Sequence, residues 1–421
     1  MPSNHDHGCD NRDPNGSGTQ AGQNITGHNA GRNATENQYG YSTSGNQPGH
    51  NERIDRICEA VTAWLDNEDD ICKTSVERTV TEGLFPRHDV MHMLGRIEKS
   101  VTREALRHWM DRIATGLTHD PAGSEKVLCL HAGNLPMVGL QDVIATLLSG
   151  AVYYGKLSSR DPWLLDGLLR VLRKRLPDQL GGWASRMEKL GPIGARHVLF
   201  AGSQASVDVA MEWVYQLGLA CKDARLLART ARLSMAWLDE TDFEHDPVRL
   251  SRQLIEAMLR YEGRGCRSLA VVVAAWDLSD VAGTLADAAG VFLRSNPPSH
   301  YRMAGVSYWR GYLKSTGRDV YDLGGQIITD DPDLLGKEHV VCWFKGNESD
   351  LLRIAGQFGS QLQNVYINAD QGDMLPRIPE SLADARHIRL EPLSLAQSPP
   401  IDWRPDGVDV LGWLWDTGQC S

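Results

Sequence analysis

Cys266 sits in the run Glu262-Gly263-Arg264-Gly265-Cys266-Arg267-Ser268, immediately before the apolar stretch Leu269 to Ala275. Small, flexible neighbours ahead of a buried strand leave room for a substrate carbonyl, an exposed sulfur and backbone N–H groups aimed at an oxyanion. That combination suits a nucleophile. The plainer use of a cysteine is as a small core hydrophobe, and the chain has eight of them. A second segment shifts the balance. Val127 to Leu130 reads as a short buried strand running into His131-Ala132-Gly133-Asn134-Leu135-Pro136, followed by a helical pattern from Val138 to Leu148. Strand, turn and helix in that order put the Asn134 amide at the rim of a nucleotide-binding sheet. Its alternative use is to satisfy its own backbone within the turn.

Two further places could hold a ligand. Lys156 follows an apolar strand, where its ammonium can reach a ribose hydroxyl or a phosphate, and Ser158 lies two residues on, on the same side of an extended chain. The alternative for both is a solvated strand end. Phe200-Ala201-Gly202-Ser203 closes a strand and opens a helix, so at Gly202 and Ser203 free N–H groups and the positive end of a helix dipole can face phosphates. Arg160 and the cluster Arg170, Arg173, Lys174 and Arg175 could favour a 2′-phosphate or other phosphates, although charge along a helix is usually a wet face.

The elements that must position these residues are bounded by composition. At 421 residues with 41% hydrophobic content, the chain can bury two sizeable cores. A net charge of −11 argues against a primary role on nucleic acid, which needs a clustered basic surface. No apolar stretch reaches the length of a membrane span and the N-terminus lacks a secretory signal, so a cytoplasmic protein with reduced cysteines is expected. The cysteines form no CxxC pair and no zinc-type spacing with histidine, so no disulfide and no metal is expected.

Residues 1–50, rich in Asn, Gly, Ser, His and Gln, are expected to be a disordered tail, in which His5, His7 and Cys9 would have no fixed geometry for a metal. Apolar spacings of three and four through Ile57, Val61 and Leu65, then Met93, Ile97 and Val101, predict a helical lead-in from Ile54 to about Thr118. Strands at 127–131, 151–157 and 197–201 then alternate with helices at 138–149, 162–175 and 204–218. A second series follows: strand 269–275, helix 279–294, a Gly- and Tyr-rich connection, strand 339–344, helix 349–358 and strand 362–367. Such alternation calls for parallel sheets with crossover helices, hence a two-lobed α/β protein. The expected divisions are a nucleotide-binding domain with its helical lead-in over 51–235, a domain carrying the cysteine over 236–375, and a segment 376–421. The Trp-rich end of that segment, through Trp403, Trp413 and Trp415, would pack back on the cofactor domain or a partner subunit.

The ordered set His131-Ala-Gly-Asn-Leu-Pro, Lys156-Leu-Ser-Ser-Arg-Asp-Pro, Phe200-Ala-Gly-Ser and Gly265-Cys266 resembles the aldehyde dehydrogenase superfamily, and within it the LuxC-like acyl-CoA reductases, over roughly residues 120–415. The resemblance implies an aldehyde dehydrogenase-like fold, with a Rossmann-like cofactor domain and an α/β catalytic domain. It implies that Cys266 attacks an acyl thioester to form a thioacyl-enzyme, and that the Asn134 amide and the Cys266 backbone N–H meet the oxyanion. Lys156 and Ser158 would contact the adenosine half of NADPH, or of NADH, and Gly202 and Ser203 its phosphates. The implied partners are an acyl-CoA or acyl-carrier substrate and, as is usual in the superfamily, further copies of the chain.

Three departures from the pattern carry chemical meaning. Hydrolytic aldehyde dehydrogenases place a water-activating glutamate some thirty positions before the cysteine, but Ala228 to Ala236 holds no acid, the nearest being Asp239 and Glu240. A thioacyl-enzyme should then survive to be reduced. The Glu-x-Phe pattern that contacts the nicotinamide ribose in relatives is absent, with Asp319 to Gly325 in that region. Arg264 stands two before the cysteine, and Arg264 and Arg267 are expected to lower its pKa. The leading expectation is NADPH-dependent reduction of an acyl thioester to an aldehyde. The same chemistry run backwards, as CoA-acylating aldehyde oxidation, and a non-catalytic nucleotide-binding relative are the alternatives.

Overall fold

The computed structural model describes residues 49–82, 85–114, 125–369 and 389–416. The Asn- and Gly-rich segment with His5, His7 and Cys9 lies outside these, as do residues 370–388 ahead of the C-terminal segment. Four helices come first: α1 (His50–Leu65), α2 (Ile71–Glu82), α3 (Arg87–Ser100) and α4 (Arg103–Ala114). The three-and-four spacing of Ile54, Ile57, Val61 and Trp64 gives α1 one apolar face, and all four are buried.

The first sheet follows the expected alternation at three strands and gains two that the sequence reading lacked, β3 and β5: β1 (Lys126–Leu130), α5 (Leu140–Leu148), β2 (Val152–Lys156), α6 (Trp163–Arg175), β3 (Leu180–Ala184), β4 (Ala195–Ala201), α7 (Val207–Gln216) and β5 (Ala220–Arg229). Its strand order is β3-β2-β1-β4-β5, all parallel. Successive crossovers leave β1 in opposite directions, which opens a crevice at the carboxyl ends between β1 and β4. Register keeps those ends level, because Leu130 is paired with Lys156 on one side and with Phe200 on the other. Every residue of α5 is buried.

The second sheet is built from β6 (Leu233–Leu238), α8 (Asp242–His245), α9 (Pro247–Leu259), β7 (Leu269–Ala274), α10 (Leu278–Ser295), α11 (His300–Ser315), β8 (Tyr321–Asp322), β9 (Ile327–Thr329), β10 (Val340–Lys345), α12 (Glu348–Phe358), β11 (Leu362–Ile367) and β12 (Leu390–Pro392). The order is β12-β11-β6-β7-β10-β9-β8, parallel except for the β8–β9 pair. Val272 and Ala274 of β7 join one core with α9 and α10, and Val271 and Val273 join another with α12. A strand covered on both faces must be apolar throughout, which is why Leu269 to Ala274 shows no alternation.

The Gly- and Tyr-rich connection contains α11, N-capped by Ser299, whose hydroxyl accepts from Arg302 N–H at 3.3 Å. Its buried face includes Arg302, so its apolar period is broken by a cation. After β12 the chain crosses to the first lobe. Gln141 of α5 donates to the carbonyls of Ile401 and Trp403, both at 2.7 Å, and a closing helix over Val410–Trp415 lies against α5. Among the described residues no helix is long and apolar enough to cross a membrane.

Candidate active-site cleft

The carboxyl ends of the first sheet and the amino ends of the second face a common cleft of about 1300 Å³. Asn134, Lys156, Ser158, Gly202, Ser203 and Cys266 all line it. Lys156 ends β2 and the other four of the first five follow β1, β2 or β4, whereas Cys266 lies three residues before β7, near the middle of the opposing sheet. The fold therefore brings together residues from segments far apart in the chain.

Close approach of three loops depends on two glycines. A Cβ on Gly133 would meet Ser158 Oγ at 1.8 Å, so only glycine lets the loop after β1 lie against the loop after β2. A Cβ on Gly265 would meet Leu135 Cδ1 at 3.2 Å, so the cysteine loop of one lobe rests on the asparagine loop of the other. The Asn134 amide crosses the same gap and donates to the Arg264 carbonyl at 2.9 Å. An amide nitrogen carries two hydrogens, so this bond orients the group and leaves one donor. Cys266 is itself pinned by its carbonyl, which accepts from the buried Ser234 hydroxyl at 2.9 Å, while Ser268 N–H closes the turn on the Gly265 carbonyl at 2.9 Å.

The electrostatics of the sulfur differ from the expectation. Cys266 is a free, half-buried thiol, and loss of water around it pushes its pKa up to about 11. The attraction of Arg267 offsets only part of this. Neither flanking arginine is free to serve the sulfur. Arg264 pairs with Glu262 at 2.7 Å, and Arg267 is held by Glu391 at 2.6 Å and by the carbonyls of Ala396 and Leu395, both at 2.9 Å. The thiol is therefore protonated near neutral pH, not depressed as proximity in sequence suggested.

The remaining expected positions behave variously. Lys156 is half-buried at the end of β2, and burial lowers its pKa. Ser158 Oγ accepts from Arg160 N–H at 3.1 Å, so it shapes the loop while its hydroxyl hydrogen stays available. Gly202 N–H donates to the Arg229 carbonyl at 3.2 Å, and exposed Ser203 bonds Ser206 at 2.9 Å. The cluster on α6 is overturned as a phosphate site. Arg170 pairs with Asp166, Arg173 lies over the Trp183 ring at 4.0 Å, and Lys174 and Arg175 reach Glu68 at 3.3 and 2.8 Å, so these cations are consumed on the outer face of the helix. Asp319 to Gly325 forms β8 and the turn after it, and none of it reaches the cleft wall.

A polar group in the cleft wall, of which His131 and Arg229 line the cleft, carried no clear signal in the sequence. Arg229, at the end of β5, makes two bonds to Asp142 of α5 at 2.7 and 2.6 Å. His131 Nδ1 is 3.7 Å from the same carboxylate, and His131 Nε2 meets the Tyr153 hydroxyl at 2.8 Å. Burial drives the His131 pKa down to about 4, so the ring is neutral. The one available sign was a histidine directly after a strand, inside the motif that also holds Asn134. The carboxylates that line the cleft among the described residues are Glu338 and Asp406. Asp406 is occupied by the N–H groups of Thr230 and Ala231, at 2.7 and 3.1 Å.

No protein-family model matches the chain. A comparison with curated proteins also finds no match. Solved structures do resemble it. An oxidoreductase from Marinobacter aquaeolei superposes with a TM-score of 0.62 at 11% identity, covering 87% of this chain and 82% of its own. A mutant indole-3-acetaldehyde dehydrogenase of P. syringae, in complex with NAD+ and IAA, gives 0.58 at 11% identity over 82% and 77%. Aldehyde dehydrogenase 21 from Physcomitrella patens, in complex with succinate, gives 0.55 at 12% identity over 86% and 82%. The chain thus has the aldehyde dehydrogenase-like fold, with a Rossmann-like lobe and a second α/β lobe.

Proposed function

We propose that the chain reduces an acyl thioester, from coenzyme A or an acyl carrier, to an aldehyde with NADPH, as a LuxC-like member of the aldehyde dehydrogenase superfamily. The observation that carries this reading is the meeting of Cys266 and Asn134 across one cleft, with the Asn134 amide bonded to the cysteine loop at Arg264. The Cys266 thiol gives up its proton as its sulfur attacks the thioester carbon, an S–C bond forms and the carbonyl electrons move to oxygen; collapse of that oxyanion breaks the carbon–sulfur bond to the carrier, whose thiolate takes up the proton and leaves as a thiol. The free hydrogen of the Asn134 amide receives the developing negative charge, a role whose loss typically costs about 3 kcal/mol.

The first-lobe wall fits a dinucleotide. Lys156 and Arg160 stand beside the crevice between β1 and β4, and although Gly202 N–H is engaged by the Arg229 carbonyl, the helical turn that leads into α7 starts just after it. Bound there, the cofactor would supply the hydride that converts the thioacyl group to an aldehyde and returns the cysteine thiolate. Reduction in place of hydrolysis is favoured because Ala228 to Ala236 supplies no acid and Asp406 is held by two backbone donors. Glu338, the other carboxylate on the cleft, is exposed, and with no glutamate where hydrolytic relatives carry theirs the thioacyl-enzyme is expected to persist.

The test is acyl transfer followed by intact mass. Wild-type protein incubated with a labelled acyl-CoA and no cofactor should gain one acyl group, and Cys266→Ser should gain none. Asn134→Ala should slow the transfer by roughly 10²–10³-fold. Equal labelling of wild type and Cys266→Ser removes the proposal.

A further inference from the structure

Between the end of α9 and Cys266 the backbone does something costly. Tyr261, Glu262 and Gly263 are three successive residues in the left-handed region, at φ 53°, 57° and 70°. Only the third is a glycine, and the first two are buried. Side-chain-bearing residues hold this conformation only where their surroundings over-determine it.

The surroundings do so from three elements. Asp89, buried in the first turn of α3, accepts the Tyr261 N–H at 3.2 Å. One turn along the same face, the His92 ring packs edge-on against the Tyr261 ring at 5.6 Å. Arg260, which precedes the turn, is held by Glu256 at 2.7 Å and by Asn296 at 2.6 Å, and lies 3.8 Å from Asp89. On the far side Glu262 accepts the Ser299 N–H at 2.7 Å and pairs with Arg264 at 2.7 Å. Arg264 is the residue whose carbonyl holds the Asn134 amide. A continuous set of contacts therefore runs from the N-terminal helices, through the left-handed turn, to both the nucleophile loop and the oxyanion donor.

We propose that Asp89 is a positioning residue: by accepting the Tyr261 N–H it locks the left-handed turn that seats Cys266 opposite Asn134. The helical lead-in is then part of the active machinery and not only a support for the first sheet. The inference rests on the reading of Cys266 as the nucleophile, yet its geometric content can be measured without that reaction.

Asp89→Ala, Asp89→Asn and Glu262→Ala are compared in the full chain by two rates: acyl transfer to Cys266 from a labelled acyl-CoA, and alkylation of Cys266 by iodoacetamide. Asp89→Ala should slow acyl transfer about tenfold, and Asp89→Asn, which keeps an acceptor oxygen, should stay within about twofold of wild type. The affinity for NADPH should be the same in all, which separates a displaced loop from a damaged fold. Asp89→Ala at the wild-type rate, or Asp89→Asn as slow as Asp89→Ala, overturns the inference. Should Asp89→Ala fail to fold, Glu262→Ala decides, since it cuts the other side of the turn, and a wild-type rate in that folded variant is equally fatal. If no thioester acylates even the wild type, the proposed function falls, and an altered alkylation rate in Asp89→Ala still upholds the positioning role.

Discussion

A sulfur at the bottom of a cleft is governed by its immediate neighbours, and around Cys266 desolvation wins over attraction. Two adjacent arginines would activate a thiol in open solution. Here both guanidinium groups are committed elsewhere, Arg264 to Glu262 and Arg267 to Glu391 and two carbonyls, and the thiol is pushed up to about 11. A raised thiol pKa favours the neutral form below it, so the resting residue is shielded from adventitious oxidation and alkylation. Its labelling rate with iodoacetamide should climb about tenfold per pH unit from 7 to beyond 9, because the thiolate fraction does so. The rate is read from the mass adduct at Cys266 across buffers of increasing pH. A plateau near pH 8 would mean that the sulfur is already ionised there and that the arginines do reach it.

Elements are joined at a few polar anchors, and the closing helix shows how. Asp409, its N-cap, accepts Gly412 N–H at 3.1 Å, Trp109 Nε1 at 2.9 Å and Arg112 Nη2 at 2.6 Å. Trp109 is fully buried, so removing this acceptor strands an indole N–H in the core of the helical lead-in. A stranded buried donor costs about 1–3 kcal/mol and a lost cap about 1 kcal/mol. Asp409→Ala should therefore lose roughly 2–4 kcal/mol of unfolding free energy, seen as a lower urea midpoint at unchanged slope. Asp409→Asn, which can still accept from the indole and from Gly412, should lose less. A midpoint identical to wild type would show that the helix is held by apolar contact alone.

At the scale of the whole molecule, charge is distributed unevenly. The chain carries a net charge of −11, yet Lys156, Arg160, Arg232 and Lys337 stand on the cleft walls, and no salt bridge engages them among the described residues. A cleft of opposite sign to its surroundings concentrates anionic ligands, and this attraction is screened by salt. If the proposed dinucleotide binds there, its affinity, followed by the fluorescence of NADPH or NADH, should fall several-fold between about 50 and 200 mM salt, in proportion to the screening of exposed charge. The double variant Lys156→Gln, Arg160→Gln should show both weaker binding and a shallower dependence on salt. A wild-type slope in that variant would place the phosphates elsewhere on the cleft.

Parts of the fold whose signal is local are legible in the residues alone. The apolar run Leu269 to Ala274 reads as a buried strand, the strand-turn-helix order around Asn134 and around Gly202 is written in adjacent residues, and the three-and-four spacing of Ile57, Val61 and Leu65 announced α1. No element between residues 218 and 266 was read from the sequence, not even β6 and α9 with their ordinary apolar patterns, and elements that depart from those periods were illegible. The edge strand β5 carries Lys222, Asp223 and Arg225 along its length, and α11 buries Arg302, so neither has the pattern that hydrophobic periodicity detects. That Cys266 and Asn134 line one cleft comes from packing, because it depends on how the amino edge of one sheet faces the carboxyl edge of the other. The sign of the thiol shift and the contact of Asp89 with Tyr261 likewise come from packing, since desolvation and ion pairing sum over neighbours that are distant in the chain.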